Sequence, residues 1–443
     1  MLLRIAVALL VAASPVLARS QVWIVSDSAC PGSDFSILQD AIDAAADGDT
    51  IVFRPSNSIL SSAIDINQKS LTIINGDPNF ILAPFIFSNN ITVQGLLPNQ
   101  SVAIIGFTPS GTNEVLRIEN NQGSVWIDGG QSSSMTTFVK AASIIVENSS
   151  SVTILRMRVR AGDCIQNCPT ATPGFGIAGA PGIEVINSEV ELYDCFLIGG
   201  RGSEGYDPLF PSGKAGSGGA GALLDNSTVN AYGTTFLGGS GGTNSQNLPA
   251  PFCADGGDGG SGIFMKDTAS TIRLQNSTAS AGLGGKWSIG TPVPLGCSDG
   301  VPGVQVDGPG IGQITQLAGS NRSLELSDTR AILEGEPFTI TSTGEQGDIL
   351  FLGVGVDHDP IFQAPFFGTA AFAPLDFFRI GKIGASGSKS LTVAAGDIVN
   401  PGESAPSICR PITSTSASIC SSAARRRRRS SIPRTTIWTV ACL

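Results

Sequence analysis

The chain has 443 residues, of which 14% are charged, 6% are aromatic and 55 are glycine. Its formal net charge of −10 argues against nucleic acid and anionic membranes as partners. The glycines follow no Gly-X-Y period and 41% of the residues are hydrophobic, which excludes a collagen-like chain and a disordered chain. These properties favour a fold of short strands joined by many turns.

The first residues, MLLRIAVALLVAASPVLARS, have the features of a secretory signal peptide. Arg4 supplies a positive charge, residues 5–13 form a short apolar core, and residues 16–18 resemble a cleavage site. We therefore expect residues 1–18 to be removed and the mature protein to be secreted or held at the cell surface. No later segment is long and apolar enough to predict a transmembrane helix.

Residues 34–53 predict a helix followed by a strand. The apolar residues with the spacing i, i+3, i+4 and i+7 of an amphipathic helix are Leu38, Ala41, Ile42 and Ala45. Because the end of a repeat array exposes apolar core, we expect this helix to act as a terminal cap.

The middle of the chain is a repeat. Similar segments start at Ser143, Gly182, Gly221 and Gly262, which are 39, 39 and 41 residues apart. Each segment contains alternating apolar residues, which predict two short strands, followed by a glycine-rich loop. This organisation predicts a parallel solenoid in which each coil pairs with the next and long loops leave from one corner.

A polar residue lies five positions after each of these starts. The four residues are Asn148, Asn187, Asn226 and Asp267. Asn148 and Asn226 also lie in N-x-S/T sequons, whereas Asn187 is followed by Ser-Glu, so the recurring feature is the residue and its spacing. We expect these residues to form a ladder at one coil corner, in which each side chain bonds to the neighbouring coil.

The segment FSILQDAIDAAADGDTIVF, followed by Asn- and Ser-rich coils, resembles the right-handed parallel β-helix proteins of the pectin-lyase-like superfamily over about residues 30–320. The resemblance implies an all-β fold in which residues 19–322 form a right-handed parallel β-helix with an N-terminal capping helix. It leaves activity open, because the family includes polysaccharide lyases and hydrolases as well as non-catalytic surface and adhesion proteins.

The repeat stops near Ser323. Alternating segments then predict a small antiparallel β-sandwich-like module over residues 323–403. Residues 404–443 contain five consecutive arginines and no periodicity, so we expect them to be disordered. Two interpretations of this tail stay open: a basic segment for a polyanion, or translation of the end of the gene in a shifted reading frame.

Candidate catalytic residues are few. The family's galacturonan hydrolases carry an Asp-Asp pair and a Gly-His-Gly motif, but here only Asp163 matches and the sole histidine is His358, which disfavours that activity. A pectate-lyase-type enzyme needs a basic residue beside a cation, and Arg156 and Asp194 align on adjacent coils as catalytic candidates. The alternative is a surface ion pair worth well under ~1 kcal/mol.

The glycine-rich loops contain candidate metal ligands. Asp255, Asp258 and Asp299 are the carboxylates that would hold Ca²⁺, an ion that accepts oxygen ligands from irregular loops. The alternative is that each Asp forms a turn with the glycine after it. The predicted function requires no cofactor.

The cysteines permit disulfides in an exported protein. Cys253 and Cys297 lie 44 residues apart at similar loop positions, so a disulfide between them would tie neighbouring loops together. Cys195 lies within a predicted strand, and we expect a buried free thiol there.

Four aromatic residues of the loops are candidates for stacking on sugar rings: Tyr206, Phe210, Phe252 and Trp287. The alternative is that they hold the long loops against the solenoid. The sequence therefore predicts a monomeric, secreted, non-catalytic β-helix protein that binds or scaffolds extracellular polysaccharide. The alternative function is a polysaccharide lyase of the pectate-lyase type.

Overall fold

The structure is a computed structural model of the chain. It describes residues 21–26, 32–54, 59–60, 63–75, 85–87, 90–109, 116–129, 142–162, 176–204, 214–243, 255–287, 297–317, 323–326, 337–343, 346, 349–355, 361–363, 368–370, 376–394 and 437–442. The predicted signal peptide, residues 1–18, lies outside these ranges.

Short strands dominate the described residues, which contain one α-helix, α1 (Leu38–Ala44), and one 3₁₀ helix (Ile311–Gln313). The strands before residue 318 are β1 (Val22–Val25), β2 (Asp49–Phe53), β3 (Ile59–Leu60), β4 (Ile64–Asn67), β5 (Leu71–Asn75), β6 (Phe85–Phe87), β7 (Ile91–Gln94), β8 (Ser101–Ile105), β9 (Phe107–Pro109), β10 (Leu116–Glu119), β11 (Ser124–Asp128), β12 (Ile144–Glu147), β13 (Val152–Leu155), β14 (Arg158–Arg160), β15 (Ile183–Ile186), β16 (Glu189–Tyr193), β17 (Phe196–Ile198), β18 (Ala222–Asp225), β19 (Thr228–Tyr232), β20 (Thr235–Leu237), β21 (Ile263–Met265), β22 (Thr271–Gln275), β23 (Thr278–Ser280), β24 (Val306–Asp307) and β25 (Ile314–Leu317). The strands after it are β26 (Ser323–Leu326), β27 (Pro337–Thr343), β28 (Ile349–Gly355), β29 (Ile361–Gln363), β30 (Gly368–Ala370), β31 (Asp376–Lys382), β32 (Ser388–Ala394) and β33 (Ile437–Cys442).

Strands β1–β25 form stacked parallel sheets. A ten-stranded sheet has the order β1-β2-β5-β8-β11-β13-β16-β19-β22-β25, an eight-stranded sheet has the order β24-β21-β18-β15-β12-β10-β7-β4, and β14, β17, β20 and β23 form a third sheet. A smaller parallel sheet contains β3, β6 and β9. From β3 to β25, successive strands belong to different sheets, so the chain passes from sheet to sheet before it returns to the first. This arrangement is that expected of a parallel β-helix.

The register follows the sequence repeat. Ile183 pairs with Ala222 in the eight-stranded sheet, and Val190 pairs with Val229 in the ten-stranded sheet. The two residues of each pair are 39 positions apart in the sequence, so equivalent positions of successive segments lie side by side. The repeat spacing therefore corresponds to one coil.

The core is a continuous apolar column between the sheets. In one coil it contains Val185, Leu192 and Leu197, each fully buried, and Leu224 and Phe236 are buried in the next coil. Each such side chain contributes about 1.5–3 kcal/mol on burial. The alternation of buried and partly exposed residues along the strands explains why the sequence has a period of two.

Helix α1 lies between β1 and β2. Leu38, Ala41 and Ile42 are buried and belong to the same apolar core as the strands. That the helix caps the end of the β-helix stays a prediction. Within the described ranges, no helix is both long enough and apolar enough to cross a bilayer.

An asparagine ladder turns the chain between the eight- and ten-stranded sheets. Asn120, Asn148, Asn187 and Asn226 have φ angles of 57°, 48°, 48° and 49°, the left-handed region that Asn tolerates better than most residues. The Nδ2 groups of Asn148, Asn187 and Asn226 each donate to the Oδ1 of the Asn in the preceding coil, at 3.2, 3.2 and 2.9 Å. The Oδ2 atom of Asp267 accepts from the Asn226 N–H, so a carboxylate ends the ladder.

A second ladder of serines lies beside the asparagines. The N–H groups of Ser149, Ser188 and Ser227 donate to the hydroxyl oxygen of the serine in the next coil, at 3.0, 3.2 and 3.2 Å. The last of these acceptors is Ser270. These serines are buried, so the bonds satisfy backbone groups that have no access to water. The Ser of each Asn-Ser pair is therefore a structural residue.

The glycine-rich segments after the third sheet form two layers, which we call the glycine sandwich. Outgoing segments comprise residues 199–204, 238–243 and 281–286, and incoming segments comprise residues 176–182, 215–221, 256–262 and 299–305. Within a layer, Gly238 and Gly241 donate N–H bonds to the carbonyls of Ser280 and Leu283, at 2.9 and 2.8 Å. Every third residue of a segment therefore donates its N–H to the next segment of the same layer.

The two layers also bond to each other. Gly239 and Gly242 of an outgoing segment donate to Gly219 and Gly216 of the preceding incoming segment, both at 2.8 Å. Cβ atoms on Gly238 and Gly239 would meet neighbouring backbones, whereas Ser240, the third residue of the triplet, is half-buried, and we call this third position the outer face. Three residues per turn is also the period of the polyproline II helix, and the bonds of each segment to neighbours on two sides repeat with that period.

Close approach of the segments explains the glycines. A Cβ atom added to Gly219 would lie 2.0 Å from the Ala180 carbonyl oxygen, and one added to Gly239 would lie 2.0 Å from the Gly200 oxygen. Neither glycine has a positive φ angle. Glycine is required at these positions because any side chain would clash with a neighbouring backbone. The conformational freedom of glycine is not needed here.

The strands after residue 322 are antiparallel. They form a sheet of β26, β27 and β32, a sheet of β31, β28 and β33, and the pair β29–β30. That they constitute one β-sandwich-like module stays a prediction. We predicted disorder for residues 404–443, but the alternating run IWTVAC forms strand β33, which pairs with β28. Residues 404–436 lie outside the described ranges.

Substitution of Gly219 by alanine tests the packing of the glycine sandwich. We expect Gly219→Ala to lower the free energy of unfolding by about 1–3 kcal/mol, because the new Cβ must displace a backbone carbonyl. Denaturant unfolding of the variant and of Ser217→Ala, a change in the same segment on its outer face, measures the difference. Ser217→Ala should stay within about 0.5 kcal/mol of the parent. Equal stability of the two variants would contradict this packing.

The carboxylate that ends the ladder predicts a pH dependence. Partial burial would raise the pKa of Asp267, but hydrogen bonds from the N–H groups of Asn226, Ser270 and Ala269 outweigh it and lower the pKa to about 2. The ionised group therefore stabilises the fold above its ordinary pKa of 3.8, and this contribution is lost as the pH falls towards 2.

We expect Asp267→Asn to melt at a lower temperature than the parent at pH 6, because its amide group would face the Asn226 N–H. The difference should shrink between about pH 4 and pH 2, where the parent's carboxylate becomes protonated. Thermal unfolding of both proteins across this range measures it. A difference that stays constant down to pH 2 would show that the charge of Asp267 does not matter.

Candidate functional site

The outer face of the ten-stranded sheet carries two rows of side chains along the stacking direction. One row contains Trp126, Thr153, Glu191, Asn230 and Arg273, and the next contains Asp128, Leu155, Tyr193, Tyr232 and Gln275. We call these two rows, together with the corner residues Arg156 and Asp194, the outer strip. Parallel pairing without a register shift brings residues from five coils together here, about 4.8 Å apart.

Arg156 forms a bidentate ion pair with Asp128 of the preceding coil. The Nε–Oδ1 distance is 2.8 Å and the Nη2–Oδ2 distance is 2.5 Å. Burial lowers the pKa of Arg156, but the hydrogen bond and the charge of Asp128 outweigh it, so the pKa is above its ordinary value. Arg156 therefore keeps its proton, and this arrangement gives no support to a role as a base.

Asp194 lies at the corner of the coil that follows Arg156, and the two backbones stack as the repeat predicts. Both residues have a φ angle of 51°, and their N–H groups donate to the carbonyls of Tyr193 and Tyr232 in the coils above. Burial raises the pKa of Asp194, and the nearby Arg156 charge opposes that shift. Arg156 therefore lies between the carboxylates of Asp128 and Asp194 and forms its ion pair with Asp128.

Tyr193 and Tyr232 form an aromatic pair in the middle of the strip. Their ring centroids are 4.8 Å apart and their planes differ by 12°. Both rings are half-buried, as is Trp126 in the neighbouring row. The strip therefore combines apolar ring surface with charged and amide groups, a combination typical of sites for polar ligands that also have apolar faces.

A chain of hydrogen bonds fixes the polar groups of the first row. Asn230 Nδ2 donates to Glu191 Oε1 at 2.6 Å, and Arg273 Nη1 donates to Asn230 Oδ1 at 3.0 Å. Glu191 and Asn230 are buried although they lie on the outer face of the sheet. Because these two side chains are buried, their bonds fix the geometry of the row and do not themselves present a surface to a ligand.

Sequence reasoning identified Arg156 and Asp194 but missed the rest of the strip. Tyr193 and Tyr232 are 39 residues apart, so the repeat could have paired them. Asp128 and Arg156 are separated by 28 residues, which is the length of a shorter coil without a glycine-rich excursion. The spacing of the later coils therefore gave no indication of this ion pair.

The three predicted metal ligands are engaged by nitrogen donors. The carboxylates of Asp258 and Asp299 contact the Nζ atoms of Lys214 and Lys286, at 2.5 and 2.7 Å, and Asp255 accepts from the Ser298 N–H at 2.7 Å. The lysine hydrogen bonds lower the pKa of Asp258 and Asp299. No group of three His, Cys, Asp or Glu residues that could hold a metal occurs in the part of the chain that the structure describes.

The cysteines are only partly described. Cys195 is free and buried, and burial raises its pKa to about 12, so the thiol stays protonated. Its sulfur contacts the carbonyl oxygens of Ile154 and Tyr193. Cys297 is disulfide-bonded, but its predicted partner Cys253 lies outside the described residues, so that pairing stays a prediction.

Of the predicted sugar-stacking residues, only Trp287 is described. It is half-buried, and its backbone N–H donates to Asp299 Oδ1 at 3.1 Å. Tyr206, Phe210 and Phe252 lie outside the described residues. The predicted role of these loops in binding therefore stays a prediction, and the outer strip is a described surface on which aromatic and polar groups lie in register.

Comparison with known proteins adds no family. The sequence matches no protein-family model, and no curated protein matches it. Inference about function therefore depends on the residues of the outer strip and on the chemistry that they allow.

Proposed function

We propose that the protein is secreted and binds or scaffolds a neutral extracellular polysaccharide through the outer strip, without cleaving it. The observation that carries this proposal is the Tyr193–Tyr232 pair beside the Asp128–Arg156 ion pair. Sugars present apolar ring faces and hydroxyl edges, and this strip offers a group for each. The exposed fraction of the Arg156 side chain is 44%, so its guanidinium is accessible to a ligand.

The shape of the strip suits a linear polymer. The row from Asp128 to Gln275 runs along the stacking direction, and each coil adds one further half-buried side chain to it. A polymer that lies along this direction meets new contacts at each coil, so many weak contacts add up over its length. An acidic polymer is disfavoured because the protein carries a formal net charge of −10.

The lyase alternative gains no support from the strip. A lyase needs a base that can accept the sugar's α-proton, whereas Arg156 is held by Asp128 and has a raised pKa. No metal-ligand cluster occurs among the described residues to supply the cation. Binding without cleavage is the simpler use of these side chains.

We also propose the finer architecture that the sequence implies. The solenoid is a right-handed β-helix similar to those of the pectin-lyase-like superfamily, α1 covers its N-terminal end, and the strands after residue 322 form a separate β-sandwich-like module. Export follows removal of residues 1–18. The apolar burial of α1 and the antiparallel pairing of β26–β33 support this proposal.

Alanine substitutions of the tyrosines test the proposed site. Against an array of neutral polysaccharides we expect the full-length protein to bind at least one, and Tyr193→Ala and Tyr232→Ala each to weaken its Kd about two- to tenfold through loss of aromatic contact. Phe264→Ala, on the outer face of the eight-stranded sheet, is the matched control and should bind like the parent. Equal affinities of all four proteins would remove the outer strip as the site.

The same preparations test the absence of catalysis. Incubation with polygalacturonate and Ca²⁺ should release no unsaturated sugar products from any of these proteins. Product formation that is lost on substitution of Arg156 would replace the proposed function with a lyase activity.

A further inference from the structure

The glycine sandwich ends in an incomplete edge. Its last outgoing segment is residues 281–286 and its last incoming segment is residues 299–305. At the equivalent positions one coil earlier, the Gly241 N–H donates to Leu283 and the Gly260 carbonyl accepts from Gly282, both at 2.8 Å. At the edge, the N–H groups of Ala281 and Gly284 and the carbonyls of Gly300 and Gly303 have no hydrogen-bond partner among the described residues.

This edge is open to solvent. The exposed fractions of Leu283, Val301 and Val304 are 74%, 66% and 50%, among the highest of the large apolar residues in the described part of the chain. Gly284 and Gly303 are half-buried, whereas their equivalents Gly241 and Gly260 are buried. The edge therefore offers hydrogen-bonding groups and apolar surface that interior segments of the sandwich cover.

The interior of the sandwich shows what a segment needs in order to stack on another. The first described incoming segment carries Ile177 and Ala180, and the segment stacked on it has Gly216 and Gly219 at those positions. A Cβ atom on either glycine would lie 1.9 or 2.0 Å from the carbonyl oxygen below. The outgoing layer repeats this pattern, because a Cβ atom on Gly242 would lie 2.0 Å from the Ser203 oxygen. Glycine at every third residue is therefore the requirement for stacking.

The two layers end differently. In the incoming layer, Gly179, Gly218 and Gly259 each donate an N–H to the next coil, and the equivalent residue of the last segment is Pro302, which has no N–H. Proline is a common means of closing an exposed edge. Proline therefore interrupts the donors of the incoming layer, whereas the outgoing layer keeps the N–H groups of both Ala281 and Gly284 for another segment.

The polarity of the edge argues against a second copy as its occupant. Along the outgoing layer, Ala281 and Gly284 present N–H donors towards the missing neighbour. Two copies related by a two-fold axis that passes through this layer would place these donors opposite each other and leave them unpaired. The occupant must instead supply carbonyl groups at a spacing of three residues.

We propose that the edge formed by residues 281–286 and 299–305 binds an extended polypeptide segment with glycine at every third residue. The carbonyl of the residue after each ligand glycine accepts from Ala281 or Gly284, as the Leu283 carbonyl accepts from Gly241. The ligand glycine N–H donates to Gly300 or Gly303. The third residue of each triplet directs its N–H away from the edge, so proline is tolerated there and favours the extended conformation. This inference is independent of carbohydrate binding.

Two synthetic peptides test the proposal. A labelled (Gly-Ser-Pro)₅ peptide should bind the full-length protein saturably in a fluorescence anisotropy titration. The matched (Ala-Ser-Pro)₅ peptide has a methyl group at every third residue and should bind at least about tenfold more weakly, because that group meets the edge carbonyls. Failure of the glycine peptide to bind, or equal binding of both peptides, would overturn the proposal.

A substitution locates the binding. Ala281→Pro removes one edge donor and should weaken the Kd for (Gly-Ser-Pro)₅ about three- to tenfold. Ser240→Ala, on the outer face of the preceding segment, should bind like the parent, and equal melting temperatures show that both variants are folded. Unchanged affinity of a folded Ala281→Pro variant would count against this edge. In sedimentation velocity, a concentration-dependent dimer of the free parent protein that the glycine peptide fails to dissociate would count against this ligand.

Discussion

Hydrogen bonds between successive coils are the interaction on which the structure depends. In the sheets they join strands in a fixed register, as between β16 and β19. At the corners they pass through the side chains of Asn187 and Ser188, and in the glycine sandwich they join extended segments of different layers. Because the sheets, the corners and the glycine sandwich all bond to the coil stacked on them in the described residues, a change in register at one corner would disrupt the bonds of the others.

The same constraint creates the outer strip. Constant register places the side chains of successive coils in rows, so Tyr232 lies over Tyr193 and Asn230 lies beside Glu191. The rows are rigid because their backbones are fixed on both sides, and their side chains bond to each other. We propose that this repetitive surface serves recognition of a repetitive polymer, because successive units of the polymer would meet equivalent positions of successive coils.

Much of the coil was predictable from sequence. The 39-residue spacing of Asn148, Asn187 and Asn226 reflects one turn of the solenoid, and alternation of Ile183 and Val185 reflects burial in its core. The glycine sandwich was not predicted, because its segments have no apolar periodicity and resemble loops. Their order depends on a contact that the sequence does not display, namely the approach of backbones from segments about 20–40 residues apart, such as Gly219 and Gly200. The Asp128–Arg156 pair was missed because it spans a coil of a different length.

The glycine-rich segments are bonded on two sides with a period of three residues. Residue-resolved amide hydrogen exchange of the full-length protein under native conditions tests this most directly. Residues 238–243 should show slow exchange at Gly238, Gly239, Gly241 and Gly242, whose N–H groups have carbonyl partners, and fast exchange at Ser240, whose N–H has none among the described residues. Uniformly fast exchange across residues 238–243 would contradict the glycine sandwich.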